Sequence, residues 1–337
     1  MDVLSDALNV VRLAGAVFFT ATFSSRWAIA SPDREDLARF LHLPSHCITL
    51  FHILAAGRGW IRFEGSHPIP IEAGDVVVFP HGTAHEMGSD LDTIPQSISA
   101  ILPTLPGEKI PQIKIGGGSP RAHFICGYLH CEQQFNPLLE SLPRLLVIRA
   151  HQHPNHAQPP ATDGLPESNV VYVQSGDWLE MTRRSIIEEA DGEQQGQSAM
   201  LVRLTEVLFV EIVRRYMQQL SPAQRGWLAG VRDPIIGHTL RLLHTHPEHE
   251  WTVDQLAQAV GLARSTLAQR FREIMGESPM RYLAGWRMQV AQHLLRQTSL
   301  SIREIAEETG YESEAAFSRA FKRYYGQPPA MWRMESR

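Results

Sequence analysis

Near the C terminus, polar and basic side chains recur at spacings that would place them on the outer faces of two helices. Arginine can bind guanine through two hydrogen bonds, glutamine can bind adenine in the same way, and serine and lysine suit phosphates. We therefore expect these side chains to contact DNA; the alternative is that they are the solvated faces of a helical bundle. The candidates are Ser265, Ala268, Gln269, Arg270 and Arg272 in the first stretch and Ser313, Ala315, Ser318, Arg319, Lys322 and Arg323 in the second.

The elements that would present these side chains are two copies of a helix, a glycine-containing turn and a second helix. Each copy opens with the spacing of a capping box, in which a hydroxyl and an amide or carboxylate satisfy free N–H groups of the first turn. Glycine after each short helix suits the left-handed conformation of a sharp turn. This pattern is typical of the helix-turn-helix unit, whose second helix enters the major groove of DNA. The capping pairs are Thr252 with Gln255 and Ser301 with Glu304, and the turn glycines are Gly261 and Gly310.

A long helix is predicted between the two copies. Ser278 followed by Pro279 is a favoured helix start, and an apolar stripe follows at helical spacing from Leu283 to Leu295. A rigid connector would fix the separation of the two recognition helices. We expect them to span about one turn of DNA, roughly 34 Å.

The N-terminal half carries a second group of candidate residues, on short apolar runs typical of β-strands. Residues 46–54, 60–64, 76–80, 97–102 and 123–131 are rich in β-branched and aromatic residues and are separated by Gly and Pro. Strands at this spacing predict a sandwich or a barrel. For the histidines and the cysteine among the candidates, a place in the core is the alternative to a place in a binding pocket. The effector-pocket candidates are His52, Glu64, His81, His85, Cys126 and Tyr128.

The C-terminal stretch resembles the DNA-binding domain of the AraC/XylS family, which has two helix-turn-helix units joined by one helix. The resemblance covers roughly residues 233–334, and its most specific part runs from Gly310 through Phe317–Lys322 to Gly326 and Pro328. It implies DNA binding and transcription regulation. Carried over by position, the base-reading places of the family fall on Ser265, Ala268, Gln269, Ala315, Ser318 and Arg319.

The segment from Gly74 to His85 resembles the second cupin motif, in which a glycine is followed by Pro-x-Gly-x-x-His; Ser89 stands where the family has asparagine. The paired histidines of the first cupin motif are absent. The resemblance therefore implies a cupin effector domain fused to an AraC-type regulator, without the usual set of metal ligands. A structural metal ion bound by His52 and His85 is left open.

Composition limits the other classes of function. A length of 337 residues suggests two domains, and a net charge of −5 does not exclude DNA binding, because basic residues need only cluster on one face. Three cysteines suit a reducing cytoplasm better than a disulfide scaffold. The apolar residues 13–23 are too few to span a bilayer and follow no basic region of a signal peptide.

We therefore predict a multidomain α+β protein. Residues 1–160 would form a cupin-like effector-sensing β-barrel, residues 161–229 a linker with dimerisation helices, and residues 230–337 an all-α DNA-binding domain with two helix-turn-helix motifs joined by a long helix. The predicted protein is a cytoplasmic, effector-responsive transcription regulator and not an enzyme. Its partners would be double-stranded operator DNA, a small molecule, a second copy of the chain and RNA polymerase, with no membrane. The alternatives are a metal-dependent cupin oxygenase or isomerase with an appended DNA-binding domain, and an oxidant sensor using the thiol of Cys126.

Overall fold

The computed structural model describes residues 2–11, 14–42, 47–101, 110–118, 121–131, 136–150, 170–221 and 223–335. The chain divides into two compact units. The barrel unit comprises residues 13–132 and 142–219, and the helical unit comprises residues 1–12, 133–141 and 220–337. Two short segments from the N-terminal half therefore belong to the helical unit. The start of the linker predicted from residue 161 lies outside the described residues, as far as residue 169.

The described part of the barrel unit contains eleven strands and three α-helices. The strands are β1 (Ala14–Phe23), β2 (Ala28–Ser31), β3 (Ile48–Phe63), β4 (Ile69–Glu72), β5 (Val76–Phe79), β6 (His85–Gly88), β7 (Gln96–Ser97), β8 (Gln112–Ile115), β9 (Ala122–His130), β10 (Leu145–Arg149) and β11 (Val170–Gln174). The helices are α2 (Arg34–Leu41), α4 (Asp177–Asp191) and α5 (Gln197–Gln219).

The strands of the barrel form two layers, and the long strand β3 takes part in both of them. Its first half pairs antiparallel with β5 and β9, and its second half pairs antiparallel with β4 and β6. The strand changes layer where its register with β9 shifts between Leu54 and Ala56. Gly57 follows with φ +90°, and a Cβ there would lie 2.0 Å from the carbonyl oxygen of Arg121. Only glycine permits this close approach, so Gly57 allows the sheet to bend around its core.

The sequence predicted some strands correctly and missed others. The runs predicted at 46–54 and 60–64 form one bent strand, β3, because the bulge lets pairing continue through the glycines. The strand predicted at 97–102 is wrong, since a 3-10 turn at Ile98–Ala100 follows the short strand β7. The apolar run at residues 13–23, which was compared with a signal peptide, contains strand β1. This strand pairs with β8 and β9.

Helices α4 and α5 pack against each other and against β1. The buried side of α5 is an apolar stripe that includes Leu201, Leu208 and Ile212. At the end of α4, Asp191 accepts a hydrogen bond from His123 on β9 at 3.0 Å. The stripe therefore covers the barrel itself.

The described part of the helical unit contains ten helices. They are α1 (Val3–Val11), α3 (Pro137–Glu140), α6 (Trp227–Arg232), α7 (Pro234–Thr245), α8 (Val253–Ala259), α9 (Arg264–Met275), α10 (Pro279–Gln297), α11 (Ile302–Glu308), α12 (Glu314–Tyr325) and α13 (Pro329–Glu335). Helix α1 packs on α7 and α10, and α3 packs on α6. The N-terminal helix is thus part of the same core as the two helix-turn-helix units.

The two helix-turn-helix copies, α8–α9 and α11–α12, have the same local geometry. Both predicted capping boxes are confirmed, with N-caps at Thr252 and Ser301. Gly261 and Gly310 have φ values of +70° and +72°. The N–H after each glycine donates back to the short helix, at 2.9 Å in the first copy and 2.8 Å in the second.

Arg287 on the connector α10 joins the two copies. Its guanidinium donates to the carbonyl oxygens of Pro247 and His249, just before α8, at 2.7 and 2.9 Å. The same group lies 5.9 Å from the ring centroid of Tyr311, which follows the turn of the second copy. Because one side chain contacts both copies, their relative orientation depends on it.

Candidate DNA-binding surface and effector cavity

Helices α9 and α12 each bury one face and expose the other. Leu267 and Phe271 on α9, and Phe317 and Phe321 on α12, are fully buried at spacings of four residues. The opposite faces carry the residues predicted to contact DNA. Ser265, Gln269, Arg272, Ala315, Arg319, Lys322 and Arg323 are exposed, whereas Ala268 and Ser318 are half-buried.

The second recognition helix, α12, presents its cations free of partners. Among the described residues, neither Arg319 nor Lys322 makes an ion pair or a side-chain hydrogen bond. Their charges are therefore available to DNA. Arg323, one residue further on, lies close enough to Tyr311 to lower the pKa of its phenol, against the larger effect of burial, which raises it.

The first recognition helix, α9, uses one predicted contact residue for folding. Arg270 forms an ion pair with Asp233 at 2.6 Å, and Asp233 is the N-cap of α7. Burial raises the pKa of Asp233, but hydrogen bonds from Arg270 and two backbone N–H groups outweigh it, so the pKa is lowered. The side chain of Arg270 thus ties α9 to α7, and we exclude it from the base-reading set. Gln269 donates to Glu273 at 2.8 Å and remains exposed.

Ser313 also has a structural role. It is the N-cap of α12, and its hydroxyl accepts the N–H of Ala316 at 3.2 Å. The equivalent position before α9 is Ala263, which has no side chain able to cap. Sequence reasoning missed Arg264, an exposed residue in the first turn of α9 that pairs with Asp254 at 3.2 Å. Its position next to Ser265 was the signal that could have identified it.

The barrel unit encloses an apolar cavity of about 40 Å³. Its wall comes from strands β1, β2, β3, β6 and β9, the turn after β7, and helix α2. Three of the candidate pocket residues, His52, Cys126 and Tyr128, belong to the wall. The aromatic and aliphatic part of the wall was not predicted, and strand β1, which supplies Phe19 and Phe23, was not recognised. This part of the wall includes Phe19, Phe23, Leu37, Leu50, Met87 and Phe124.

A chain of hydrogen bonds runs from the cavity wall into the barrel. His85 Nδ1 lies 2.8 Å from the carbonyl oxygen of Thr83, so this nitrogen carries the proton. His85 Nε2 then accepts from His52 Nε2 at 2.8 Å. His52 Nδ1 in turn accepts the thiol proton of Cys126 at 3.0 Å. Each proton position follows from the one before it, and all three side chains are neutral.

Burial keeps these three groups uncharged. It lowers the pKa of His85 to about 4, and it lowers that of His52 well below its ordinary value with a further contribution from the nearby His85. Burial also raises the pKa of the Cys126 thiol. The cavity wall therefore carries a protonated thiol and the neutral imidazole of His52 at neutral pH, with the neutral His85 hydrogen-bonded to His52, rather than a reactive thiolate.

The turn between β5 and β6 positions His85. Gly82 has φ +60°, and a Cβ there would lie 2.8 Å from the carbonyl oxygen of Ile48. Thr49 donates to the carbonyl oxygen of Pro80 at 2.8 Å, and the ring of His85 stacks on Phe79 at 4.0 Å. The proline and glycine of the Pro-x-Gly-x-x-His segment thus serve to direct the histidine inward.

Three of the six predicted pocket residues do not line the cavity: His85 is hydrogen-bonded to His52 from outside the lining, and Glu64 and His81 lie elsewhere. Glu64 is exposed in the turn after β3, because strand β3 ends at Phe63. His81 is half-buried and its Nε2 lies 3.0 Å from the carbonyl oxygen of Leu142. Neither lines the cavity. Among the described residues, no group of three or more His, Cys, Asp or Glu side chains could bind a metal ion.

Cys47 and Cys131 form a second contact that sequence reasoning missed. They lie opposite each other beside β3 and β9, where the N–H of Cys131 donates to the carbonyl oxygen of Cys47 at 3.1 Å. A hydrogen bond to Cys131, together with burial, raises the pKa of the Cys47 thiol. Only the register between the two strands brings these residues together, so the sequence spacing gave no signal.

Comparison with known proteins finds a matching family model for each half of the chain. A family model described as a cupin matches residues 2–162 and 155–218, and a model described as a helix-turn-helix domain matches residues 256–335. The chain belongs to the AraC-type regulators with a cupin domain. It is 28% identical to the HTH-type transcriptional regulator AlkR of Acinetobacter baylyi, over the full length of both chains. It is 27% identical to the regulator MtrA of Neisseria gonorrhoeae, over 99% of both chains.

These findings confirm the predicted fold class and the general function. This AraC-type regulator has a cupin-like sheet followed by a helical DNA-binding domain, and it binds double-stranded DNA. Its relatives are transcription regulators rather than enzymes. In the part of the chain that the structure describes, no helix is long and apolar enough to cross a membrane.

The difference between Arg319 and Lys322 gives a prediction about DNA readout. We expect Arg319→Ala to weaken operator binding by about 1–3 kcal/mol and to relax the preference at one base pair. Lys322→Ala should weaken binding to all sequences similarly and reduce the salt dependence, because it removes a phosphate contact. Arg184→Ala in the barrel unit, also an exposed arginine, is the control. Titrations against operator variants at several salt concentrations measure both effects; unchanged base preference in Arg319→Ala would contradict the proposed orientation of α12.

Proposed function

We propose that this chain is a cytoplasmic regulator that binds an operator through α9 and α12 and responds to a small molecule bound in the barrel cavity. The observation that supports the response is the cavity itself, which has the neutral Cys126–His52–His85 chain at its wall. An effector can shift a regulator only through different affinities for its two states. A chain of directed hydrogen bonds suits this role, because each proton position depends on its neighbour.

On DNA, we propose that the two recognition helices read successive stretches of major groove. The proposed contact set is Ser265, Gln269 and Arg272 on α9 and Ala315, Ser318, Arg319, Lys322 and Arg323 on α12. The exposure of these faces and the free cations of α12 support this assignment. The methyl side chains of Ala268 and Ala315 carry no hydrogen-bonding group, so we assign them only apolar contact with a thymine methyl.

A homodimer and a contact with RNA polymerase also belong to this proposal. Helix α4 exposes Trp178 and Met181, three residues apart, and α5 exposes Met200 and Val207, seven residues apart. Each pair lies on one helical face, and exposed apolar faces of this kind suit a symmetric contact with a second copy. Sedimentation of the full chain tests the dimer, and a monomer at micromolar concentration would contradict it.

The two alternative functions find less support. A metal-dependent enzyme would need ligands, but His52 and His85 use their nitrogens for the hydrogen bonds to each other, to Cys126 and to Thr83. His52 and His85 could bind a structural ion only if these hydrogen bonds were broken. A thiol sensor would need a thiolate, whereas burial raises the pKa of Cys126.

The test of the effector response is the substitution His85→Ala. We expect it to abolish the transcriptional response, because His52 Nε2 loses its acceptor, while operator binding by the free protein is retained. The matched control is His81→Ala, four residues earlier, which should respond normally because His81 contacts Leu142 and takes no part in the hydrogen bonds of His52 and Cys126. A reporter assay and a gel shift on each purified variant measure the two properties. A normal response in His85→Ala would place the effector site elsewhere, and loss of operator binding would make His85 a structural residue.

A further inference from the structure

The chemistry of the cavity wall limits what the cavity can bind. Its lining contains no aspartate, glutamate, lysine or arginine. The one imidazole in the lining, His52, has its pKa lowered by burial and is neutral. A charged ligand would therefore lose its hydration without meeting an opposite charge, which is strongly unfavourable in an apolar interior.

Four side chains of the wall carry polar atoms, Ser31, His52, Cys126 and Tyr128, and those of His52 and Cys126 are already paired. Both ring nitrogens of His52 are in hydrogen bonds, and the thiol proton of Cys126 is directed at His52. A ligand rich in hydroxyl groups would find few partners, and each unpaired hydroxyl would be costly. The wall thus disfavours sugars and other polyols as well as ions.

We propose that the cavity binds small neutral hydrocarbon-like molecules, either a single aromatic ring or a short alkyl chain, and excludes their carboxylates. The inference rests on the proposed function, in which the cavity is the effector site. Burial of apolar surface stabilises such a ligand by about 25 cal/mol per Å². Phe19, Phe23 and Phe124 supply aromatic surface for it.

The size of the cavity shows that binding must move part of the wall. Its volume is about 40 Å³, whereas a cavity known to bind benzene measures about 150 Å³. The movable parts are the side chain of Met87, which is unbranched and adaptable, and the short helix α2 with Leu37 and Leu41. Effector binding is therefore coupled to a displacement of the wall, which gives the two states that a response needs.

Thermal unfolding of the full chain with toluene and with benzoate tests the chemistry. The two molecules share a ring and differ in the carboxylate that replaces the methyl group. At ten times its Kd, toluene should raise the Tm by about 3–5 °C. Benzoate at the same free concentration should leave the Tm unchanged. An equal or larger shift with benzoate, or no shift with toluene, overturns the proposal.

Two variants locate the binding. Ala21→Phe fills the cavity from strand β1, so it should remove the toluene shift. Leu41→Ala enlarges the cavity at a half-buried position, so it should tighten binding of the larger naphthalene by at least about threefold, since removed side-chain volume favours bulkier ligands. Leu91→Ala, at an exposed leucine outside the wall, is the control. If Ala21→Phe fails to fold, the naphthalene affinity of Leu41→Ala still tests whether the ligand binds in this cavity. A toluene shift unaffected by either variant overturns the proposed location.

A reporter assay separates this inference from the proposed function. Toluene binding that both variants alter, without any transcriptional change, supports the binding chemistry and contradicts the effector response. A response to a charged molecule that persists in Ala21→Phe supports an effector response and overturns the chemistry proposed for this cavity.

Discussion

Gly310→Ala is expected to destabilise the helical unit by about 2–5 kcal/mol, because it combines a strained backbone with overpacking. Gly310 has φ +72°, and a Cβ there would lie 2.6 Å from the carbonyl oxygen of Glu248 and 2.5 Å from the guanidinium of Arg287. The new methyl group would therefore displace the side chain that joins the two helix-turn-helix copies. Operator affinity should fall together with stability.

The chain contains its own control for this prediction. Gly261 occupies the same turn in the first copy with φ +70°, and no atom lies within 4 Å of a Cβ built there. Gly261→Ala should therefore cost only the backbone strain, about 1–2 kcal/mol. Urea denaturation of both variants measures the difference. Equal losses would show that the contacts of Gly310 with Arg287 and Glu248 contribute nothing.

Acidification from pH 7 to pH 5 should destabilise both units. Burial lowers the pKa of His85 to about 4 in the barrel unit, and it lowers that of His244 to about 3 in the helical unit. An unfolded histidine titrates near pH 6.5, so between roughly pH 4 and 6.5 the unfolded chain binds more protons than the folded chain. The contribution of each neutral histidine to the free energy of unfolding is therefore complete above about pH 6.5 and falls as the pH is lowered. The loss at pH 5 is about 2 kcal/mol per histidine.

His244 allows this prediction to be tested at one site. Its ring stacks on Trp286 at a centroid distance of 3.7 Å, and its Nε2 accepts from the hydroxyl of Tyr282 at 2.7 Å. Urea unfolding followed by tryptophan fluorescence should show a weaker pH dependence in His244→Gln than in the parent chain. His67→Gln, at an exposed histidine, should retain the parent pH dependence. The same pH dependence in all three proteins would contradict a neutral, buried His244.

The helical half was readable from sequence because its signals are local. A capping box, a turn glycine and an apolar stripe each lie within a few residues, and Thr252, Ser301 and the start of α10 at Ser278 were all predicted correctly. The sequence does not show which charged side chains form ion pairs. Arg270 and Arg319 look alike in the sequence, and only tertiary packing pairs Arg270 with Asp233.

The barrel half was less readable because its contacts are distant in sequence. His52 and Cys126 are opposite each other only through the register of β3 and β9, and His85 joins them through the bend of β3. The alternation of side chains along a strand predicts which residues share a face, but it cannot say which strands pair. Glu64 was proposed for the pocket, yet strand β3 stops one residue earlier and leaves Glu64 in solvent.

The assignment of α1 to the helical unit affects how the chain is made. Val3, Leu4 and Ala7 of α1 are buried, and the helix packs on α7 and α10. At a synthesis rate of 5–20 residues per second, these partners leave the ribosome on the order of ten seconds or more after α1. The apolar residues of α1 therefore stay exposed to solvent while the barrel unit is synthesised. A nascent or truncated chain that ends after the barrel carries this uncovered helix, and it is the form most exposed to chaperones and aggregation.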